Sequence, residues 1–297
     1  MRFGIMAMQI DSLVPRDLPP EQALAHVVGF DQAALMRELF ELGFNPIELG
    51  ADLGTLLPHI FAPASIEALA ALKHEPGVSY TVHLPLWSVE PSTLLTPVRR
   101  GSVQALVDSI QATLPLEPEF YVLHATGAMA AEFYRMLIPE IARDFLLRQF
   151  QNGARESIQT LLSETGIPPR QLAIETIEFP FDLTLELADE LDLSLCFDTG
   201  HVLVGFSGPV DFFEALERCL PRLGELHLHD GPWFGPQMLI GYGKDHQTLG
   251  AGDLDVGRLL DRLEAANFDG PIVFELRADQ ALASMDLIRA IRPQLVT

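Results

Sequence analysis

The stretch SLCFDTGH, residues 194–201, passes from a short apolar run into an acid and, three residues after that acid, a histidine. Short apolar runs bounded by polar residues are typical of strands that are buried on both faces of a parallel sheet. Asp198 and His201 are residue types that bind divalent metals. The stretch therefore predicts a buried strand whose carboxyl end carries metal-binding side chains.

Runs of the same kind recur along the chain and alternate with helical patterns. The pattern QAALMRELFELG is closed by Gly43, and VDFFEALERCL ends before Pro221. The predicted strands cover residues 2–10, 46–50, 80–85, 119–125, 171–176, 193–199, 224–230 and 271–277. Eight strand–helix units predict a (β/α)₈ TIM barrel in a single domain, 1–297. A doubly wound sheet would place a GxGxxG turn after the first strand, and none follows it here.

Polar side chains stand at the ends of seven consecutive predicted strands. In a barrel all carboxyl ends of strands meet at one mouth, and the longest connections, 11–30, 85–97 and 231–254, follow strands on that side. The residues at these ends are Glu48, His83, His124, Glu175, Asp198 with His201, His227 with His229, and Glu275. His246 lies in a Gly-rich loop above the same mouth.

A lone histidine at such a position is more often a satisfied buried side chain than a ligand. Many carboxylates and imidazoles buried together would cost several kcal/mol per ion without compensating charge. Divalent cations remove that cost, and a set of oxygen and nitrogen ligands without thiolate suits Zn²⁺, Mn²⁺ or Fe²⁺. The strand ends therefore predict a metal centre.

The charge of the chain limits its partners. With 19 basic and 41 acidic side chains the net charge is −22, which repels nucleic-acid phosphates and anionic lipid. No apolar window is long enough for a membrane span, and the first residues do not form a signal peptide. The two cysteines have no CxxC spacing. We expect a cytoplasmic protein with a small-molecule substrate, and neither duplex nucleic acid nor a membrane as partner.

At these residues the chain resembles the xylose-isomerase-like barrel superfamily, which includes sugar isomerases, epimerases and the endonuclease IV group of phosphodiesterases. The resemblance covers essentially the whole chain. It implies metal binding by the four ligands common to the superfamily, which match Glu175, Asp198, His227 and Glu275 here.

The endonuclease IV branch implies further ligands. A first metal would be bound by His83 and His124 and bridged by Glu175 to a second. A third would be bound by His201 and His246, but Lys244 stands where that branch has an aspartate, with Asp245 adjacent. Two to three divalent ions per chain are expected, with zinc favoured over manganese or iron.

A closer resemblance is carried by the segments YTVHLPL, RRGSVQALVDSI, YVLHATG, AIETIEFPFD, LCFDTGH and GKDHQTL. They are similar to the cobamide-remodelling phosphodiesterases of the CbiR type. This resemblance implies hydrolysis of the phosphodiester in the nucleotide loop of a corrinoid by metal-activated hydroxide, with Glu175, Asp198 and Glu275 as catalytic carboxylates. The residues expected to contact substrate are Lys244, Asp245, Arg277, Glu48 and Trp233; Arg277 is included because it alternates onto the side of Glu275.

Two other functions fit the same sequence. A divalent-metal-dependent sugar or sugar-phosphate isomerase or epimerase would need one ion and the four common ligands, with Glu175 and Glu275 exchanging a proton with the substrate carbon. A barrel that binds a corrinoid or sugar without catalysis is the third interpretation. The number of ions per chain distinguishes the isomerase from the phosphodiesterase.

Overall fold

The strands form a closed parallel barrel. The computed structural model describes residues 1–6, 18–74, 77–235, 237 and 239–295. Neighbouring strands pair in chain order, and β8 closes the barrel on β1. The strands are β1 (Arg2–Met6), β2 (Ile47–Gly50), β3 (Tyr80–His83), β4 (Tyr121–Leu123), β5 (Leu172–Glu175), β6 (Ser194–Asp198), β7 (Leu223–His227) and β8 (Pro271–Phe274). The predicted TIM barrel is confirmed; residues 7–10 of the first predicted strand lie outside the described residues.

Helices surround the barrel. They are α1 (Pro20–Val28), α2 (Gln32–Glu41), α3 (Asp52–Leu56), α4 (Pro63–His74), α5 (Thr96–Thr113), α6 (Ala128–Arg135), α7 (Glu140–Thr165), α8 (Phe181–Glu190), α9 (Thr199–Leu203), α10 (Phe212–Cys219), α11 (Val256–Ala265) and α12 (Ala278–Ile291). Helix α1 lies within the connection 11–30, for which the sequence predicts a loop. It starts with proline in its first turn, where the missing N–H carries no penalty.

The interior of the barrel changes from apolar to polar towards the mouth. An apolar cluster inside it contains Val122, Ala173 and Cys196. Side chains alternate along a strand, so the next inward positions of β5 and β6 are Glu175 and Asp198, both buried. The barrel therefore places acids directly above an apolar layer.

No helix in the described part of the chain combines the length and hydropathy that crossing a membrane requires.

Candidate metal centre

The polar strand ends come together in space. Within each of four groups the potential ligand atoms lie within 4.8 Å of one another. The groups are His83, His124 and Glu175; Glu175, Asp198 and His227; His201, His229, His246 and Glu275; and Glu48, Glu225 and His227. Glu175 and His227 are shared among three of these groups, and the group with His201 and Glu275 joins them through His201 Nδ1, 2.7 Å from Glu175 Oε1, and Glu275 Oε1, 3.3 Å from His227 Nδ1. The four groups therefore form one continuous cluster.

Glu175 is surrounded by imidazoles. Its Oε2 lies 3.2 Å from His83 Nε2 and 3.0 Å from His124 Nε2, and its Oε1 lies 2.7 Å from His201 Nδ1. Oε1 and that Nδ1 are both buried, and neither makes a hydrogen bond despite the short distance. A shared cation satisfies two such atoms at once, so this donor set fits a divalent metal.

Two histidines are oriented by their second ring nitrogen. His83 Nδ1 lies 2.9 Å from the carbonyl oxygen of Leu84 and donates to it, which leaves Nε2 facing Glu175. His227 Nε2 lies 3.4 Å from Glu48 Oε2, while its Nδ1 faces Glu275 and has no hydrogen-bond partner. Metal-binding histidines are commonly fixed in this way by a carbonyl or carboxylate.

Both carboxylate oxygens of Asp198 accept hydrogen bonds. It is the N-cap of α9, and its Oδ1 accepts a hydrogen bond from the backbone N–H of His201 at 2.6 Å. Its Oδ2 lies 2.9 Å from His229 Nε2. The short helix that begins at Thr199 thereby fixes the direction of the carboxylate.

The loop after β7 brings a further acid and histidine to the cluster. Asp245 Oδ2 lies 3.3 Å from His201 Nε2 and 3.1 Å from His246 Nδ1. His246 Nε2 lies 3.2 Å from Glu275 Oε2, and 42% of the His246 side chain is exposed. The structure places the Asp245 carboxylate between two histidines of the cluster, and its contact with substrate stays a prediction from the sequence.

The charges of the cluster balance internally. Burial favours protonation of Glu175 and Glu275, but the surrounding imidazoles outweigh it and hold the pKa of each carboxyl well below its usual range. Burial alone would lower the pKa of His83, yet its bond to Glu175 raises that pKa to about 9. Bonds to Asp245 and Glu275 likewise outweigh burial and raise the pKa of His246 to about 10. Without metal, protons therefore occupy His83 and His246 near neutral pH, and a metal that binds these imidazoles must displace them.

Two acids form the deepest part of the cluster, inside the barrel. Glu48 and Glu225 are both fully buried, and each approaches the hydroxyl of Thr81, at 3.1 and 2.9 Å. Burial, followed by the charge of Glu48, raises the pKa of Glu225 well above its usual value. Glu48 Oε2 lies 3.4 Å from His227 Nε2, and the contact between Glu48 and substrate stays a prediction from the sequence.

Three further residues are predicted from the sequence to contact substrate: Arg277, Lys244 and Trp233. Strand β8 ends at Phe274, so the alternation that paired Arg277 with Glu275 does not apply. Arg277 is the N-cap of α12, and its Nε donates to Asp279 Oδ1 at 3.0 Å. Lys244 is exposed, one residue before the acid that contacts His201.

Trp233, the third of these residues, lines a different surface. About half of its side chain is exposed, and it borders a groove of about 410 Å³ together with Phe212 and Phe213. The described residues that line this groove include none of the candidate ligands. A contact between Trp233 and a substrate held at the cluster therefore stays a prediction.

The ligand set predicted from the sequence omits His229 and Glu225. Strand β7 and the residue pair after it read Glu225-Leu-His227-Leu-His229, with these three side chains at alternate positions. All three are fully buried. The period-two pattern places Glu225 and His227 on one face of β7, whereas His229 lies two residues beyond the strand end and its position beside Asp198 is known only from the structure.

Comparison with known families agrees with this architecture. Residues 36–293 match the family described as the xylose isomerase-like TIM barrel. The chain belongs to this family. The predicted superfamily is thereby confirmed.

The individual proteins to which this chain is similar share only 18–25% of its residues. The uncharacterized protein MJ1311 of Methanocaldococcus jannaschii is 25% identical over 252 residues, covering 81% of this chain and 77% of the relative. A D-tagatose 3-epimerase-like protein superposes with a TM-score of 0.70 at 19% identity, covering 100% of this chain and 98% of the other. Endonuclease IV from Thermus thermophilus superposes with a TM-score of 0.67 at 18% identity, covering 99% of this chain and 100% of the other.

The two solved structures show the fold and do not select between the chemistries of their branches. Both superpose over nearly the full barrel at similar scores, although one is named for sugar epimerisation and the other is an endonuclease. The resemblance to cobamide-remodelling enzymes stays a prediction from the sequence.

Proposed function

We propose that the protein is a metal-dependent phosphodiester hydrolase that acts on a small nucleotide-containing substrate. The observation that supports this most strongly is the crowding of imidazoles around Glu175. A site for one ion needs the four common ligands, whereas His83, His124 and His201 approach the same carboxylate in addition. A carboxylate that faces so many potential ligands is suited to bridging two ions.

The residues present fit such a centre, with Glu175 shared by two ligand groups and Glu275 between His227 and His246. Glu275 Oε1 lies 3.3 Å from His227 Nδ1, and its Oε2 lies 3.2 Å from His246 Nε2. Divalent ions bound by these groups would lower the pKa of a water molecule and offset negative charge on phosphoryl oxygens.

The protein's own groups have defined parts in this proposal. Ionised Asp198 and Glu275 orient the attacking water as hydrogen-bond acceptors, while the backbone N–H of His201 keeps Asp198 from rotating. Neutral His83 presents Nε2 because its other nitrogen donates to Leu84. Preorganisation of this kind removes the cost of arranging the groups during the reaction.

The net charge favours a small substrate over a nucleic acid. At −22 the surface opposes approach of a polyanion, whereas one phosphodiester needs only local positive charge. Exposed Lys244 lies beside the cluster and can supply part of it. The sequence segments similar to cobamide-remodelling enzymes make the nucleotide loop of a cobamide the specific substrate that we propose.

A second candidate is a sugar or sugar-phosphate epimerase. It is supported by the ligand group of Glu175, Asp198 and His227, with Glu275 Oε1 3.3 Å from His227 Nδ1, which is sufficient for one ion. One ion bound by Glu175, Asp198, His227 and Glu275 would hold the sugar oxygens, and the two glutamates would exchange a proton with the carbon between them.

The variant His124→Ala separates the two candidates, because His124 contacts Glu175 but is not among the four common ligands. Metal-loaded protein is incubated with intact cobamides, with a simple phosphodiester such as bis(4-nitrophenyl) phosphate, and with ketoses. We expect release of a nucleoside-containing product from the cobamide, abolished by a chelator and lowered at least about tenfold in the variant. Turnover of ketoses alone, with the variant as active as the parent, would contradict the proposal and support the epimerase.

A further inference from the structure

We infer that His229 is a positioning residue that joins the loop bearing Asp245 and His246 to the carboxylate of Asp198. Its consequence for metal binding rests on the proposed function, but the link itself is a property of the metal-free protein. His229 is fully buried and lies between the two parts it connects.

The contacts of His229 fix its tautomer. Its Nδ1 accepts a hydrogen bond from the backbone N–H of His246 at 2.9 Å, so this nitrogen carries no proton. The proton is therefore on Nε2, which donates to Asp198 Oδ2 at 2.9 Å. Since both nitrogens are used, His229 is not free to bind a metal itself in this arrangement. It acts through Asp198 and through the loop.

Gly200 leaves the space that the imidazole of His229 occupies. A Cβ on Gly200 would lie 2.1 Å from His229 Nδ1, so no other residue type fits there without displacing the imidazole. The backbone N–H of His229 donates to Thr199 Oγ1 at 3.0 Å, and the same hydroxyl donates to the His229 carbonyl oxygen at 2.6 Å. Thr199 and Gly200, which follow Asp198 in the sequence, thus fix the position of His229, whose imidazole orients the Asp198 carboxylate.

The loop after β7 also contacts His229 through the side chain of His246. The rings of His229 and His246 stack with centroids 4.2 Å apart and an angle of 8° between their planes. His246 has a φ of +54°, a conformation that a residue with a side chain rarely adopts unless its surroundings hold it. The bond from its N–H to His229 is one of the contacts that can hold it.

This arrangement couples the loop to Asp198. An ion bound by Asp198 fixes that carboxylate, the carboxylate fixes His229 Nε2, and the imidazole then presents Nδ1 to the loop amide. Binding at Asp198 should therefore protect the amide of His246 from exchange, and loss of the loop contact should weaken binding, because coupling of this kind is reciprocal.

Two substitutions separate the hydrogen bonds made by the two ring nitrogens of His229. In His229→Asn the side-chain oxygen reaches the position of Nδ1, so the bond from the loop amide can be kept while the bond to Asp198 is lost. In His229→Gln the amide nitrogen reaches the position of Nε2, so the bond to Asp198 can be kept while the loop bond is lost. The exposed His74, at the end of α4, gives the matched control His74→Gln.

The experiment uses the full chain labelled with ¹⁵N-histidine, with and without Zn²⁺. We expect imidazole shifts of His229 that show protonation at Nε2 and not at Nδ1. In metal-free protein the amide of His246 should exchange at least about fivefold faster in His229→Gln than in the parent or in His229→Asn, since one hydrogen bond is lost. Zinc affinity should fall about 10- to 100-fold in His229→Asn and less in His229→Gln.

The opposite tautomer, or a His246 amide that exchanges equally fast in the parent and in both variants, would overturn the inference. So would equal effects of the two variants on both readouts, because a residue that only fills space would behave in that way. Failure to bind zinc in any form would refute the proposed function but not the link, which the exchange rates of the metal-free protein test separately.

Discussion

Raising the pH should strengthen metal binding by the metal-free protein, because protons and metal compete for the same imidazoles. The pKa of His83 is raised to about 9, so near pH 7 about one molecule in a hundred has this imidazole neutral. Displacing that proton costs about 2.7 kcal/mol at pH 7, and the cost disappears as the pH approaches 9. The pKa of His246, raised to about 10, adds a change of the same sign.

The sign of the pH dependence of metal affinity follows from the pKa shifts of the imidazoles and of the carboxylates. At pH values below its raised pKa, each of these imidazoles is mainly protonated and cannot bind a metal. The affinity for metal therefore rises with pH. The carboxylates do not oppose this trend, because the surrounding imidazoles lower the pKa values of Glu175 and Glu275 and keep both groups ionised. The apparent dissociation constant should fall about tenfold per pH unit for each proton displaced.

Calorimetric titration of Zn²⁺ into chelator-treated protein measures this directly. Repeating it in buffers with different ionisation heats gives the number of protons released, which should be at least two near pH 7, from His83 and His246. The control His74→Gln should release the same number, since that side chain is exposed on the far end of α4. An affinity that does not change between about pH 6 and 9, with no proton release, would refute the charge balance described for the cluster.

Two substitutions test other parts of the structure. Glu175→Gln should lower the number of ions per chain and lower turnover by at least about 100-fold, because it removes the carboxylate that three imidazoles approach; metal analysis and turnover of the variant measure this, and a variant with undiminished metal content and turnover would contradict the role proposed for Glu175. Asp230→Asn should lower the free energy of unfolding by about 2–4 kcal/mol, because the carboxylate accepts hydrogen bonds from four backbone amides, those of Gly231, Gly250, Gly252 and Leu254; urea denaturation gives the value, and a change below about 0.5 kcal/mol would contradict it.

The barrel and the convergence of its strand ends could be predicted because both depend on local patterns. Alternating strands and helices specify the fold, and the fold specifies that residues as distant as His83 and Glu275 meet. The sequence does not show where a strand stops. The alternation argument for Arg277 fails because β8 ends three residues earlier and a helix begins.

The sequence also does not show how deep in the barrel each polar side chain lies. Glu48 and His83 both follow apolar runs, yet Glu48 lies one layer lower, next to Glu225. The balance of charge was also only partly foreseen. Imidazoles protonated beside carboxylates offset much of the burial cost that we attributed to metals, so the cluster can exist in a metal-free protein as well as in a loaded one.

The most direct test of a polynuclear centre is the number of divalent ions per chain, measured by elemental analysis after reconstitution and removal of loosely bound metal. We predict two or three ions per chain in the parent and fewer in Glu175→Gln. A single ion per chain, unchanged by His124→Ala, would contradict the phosphodiesterase proposal.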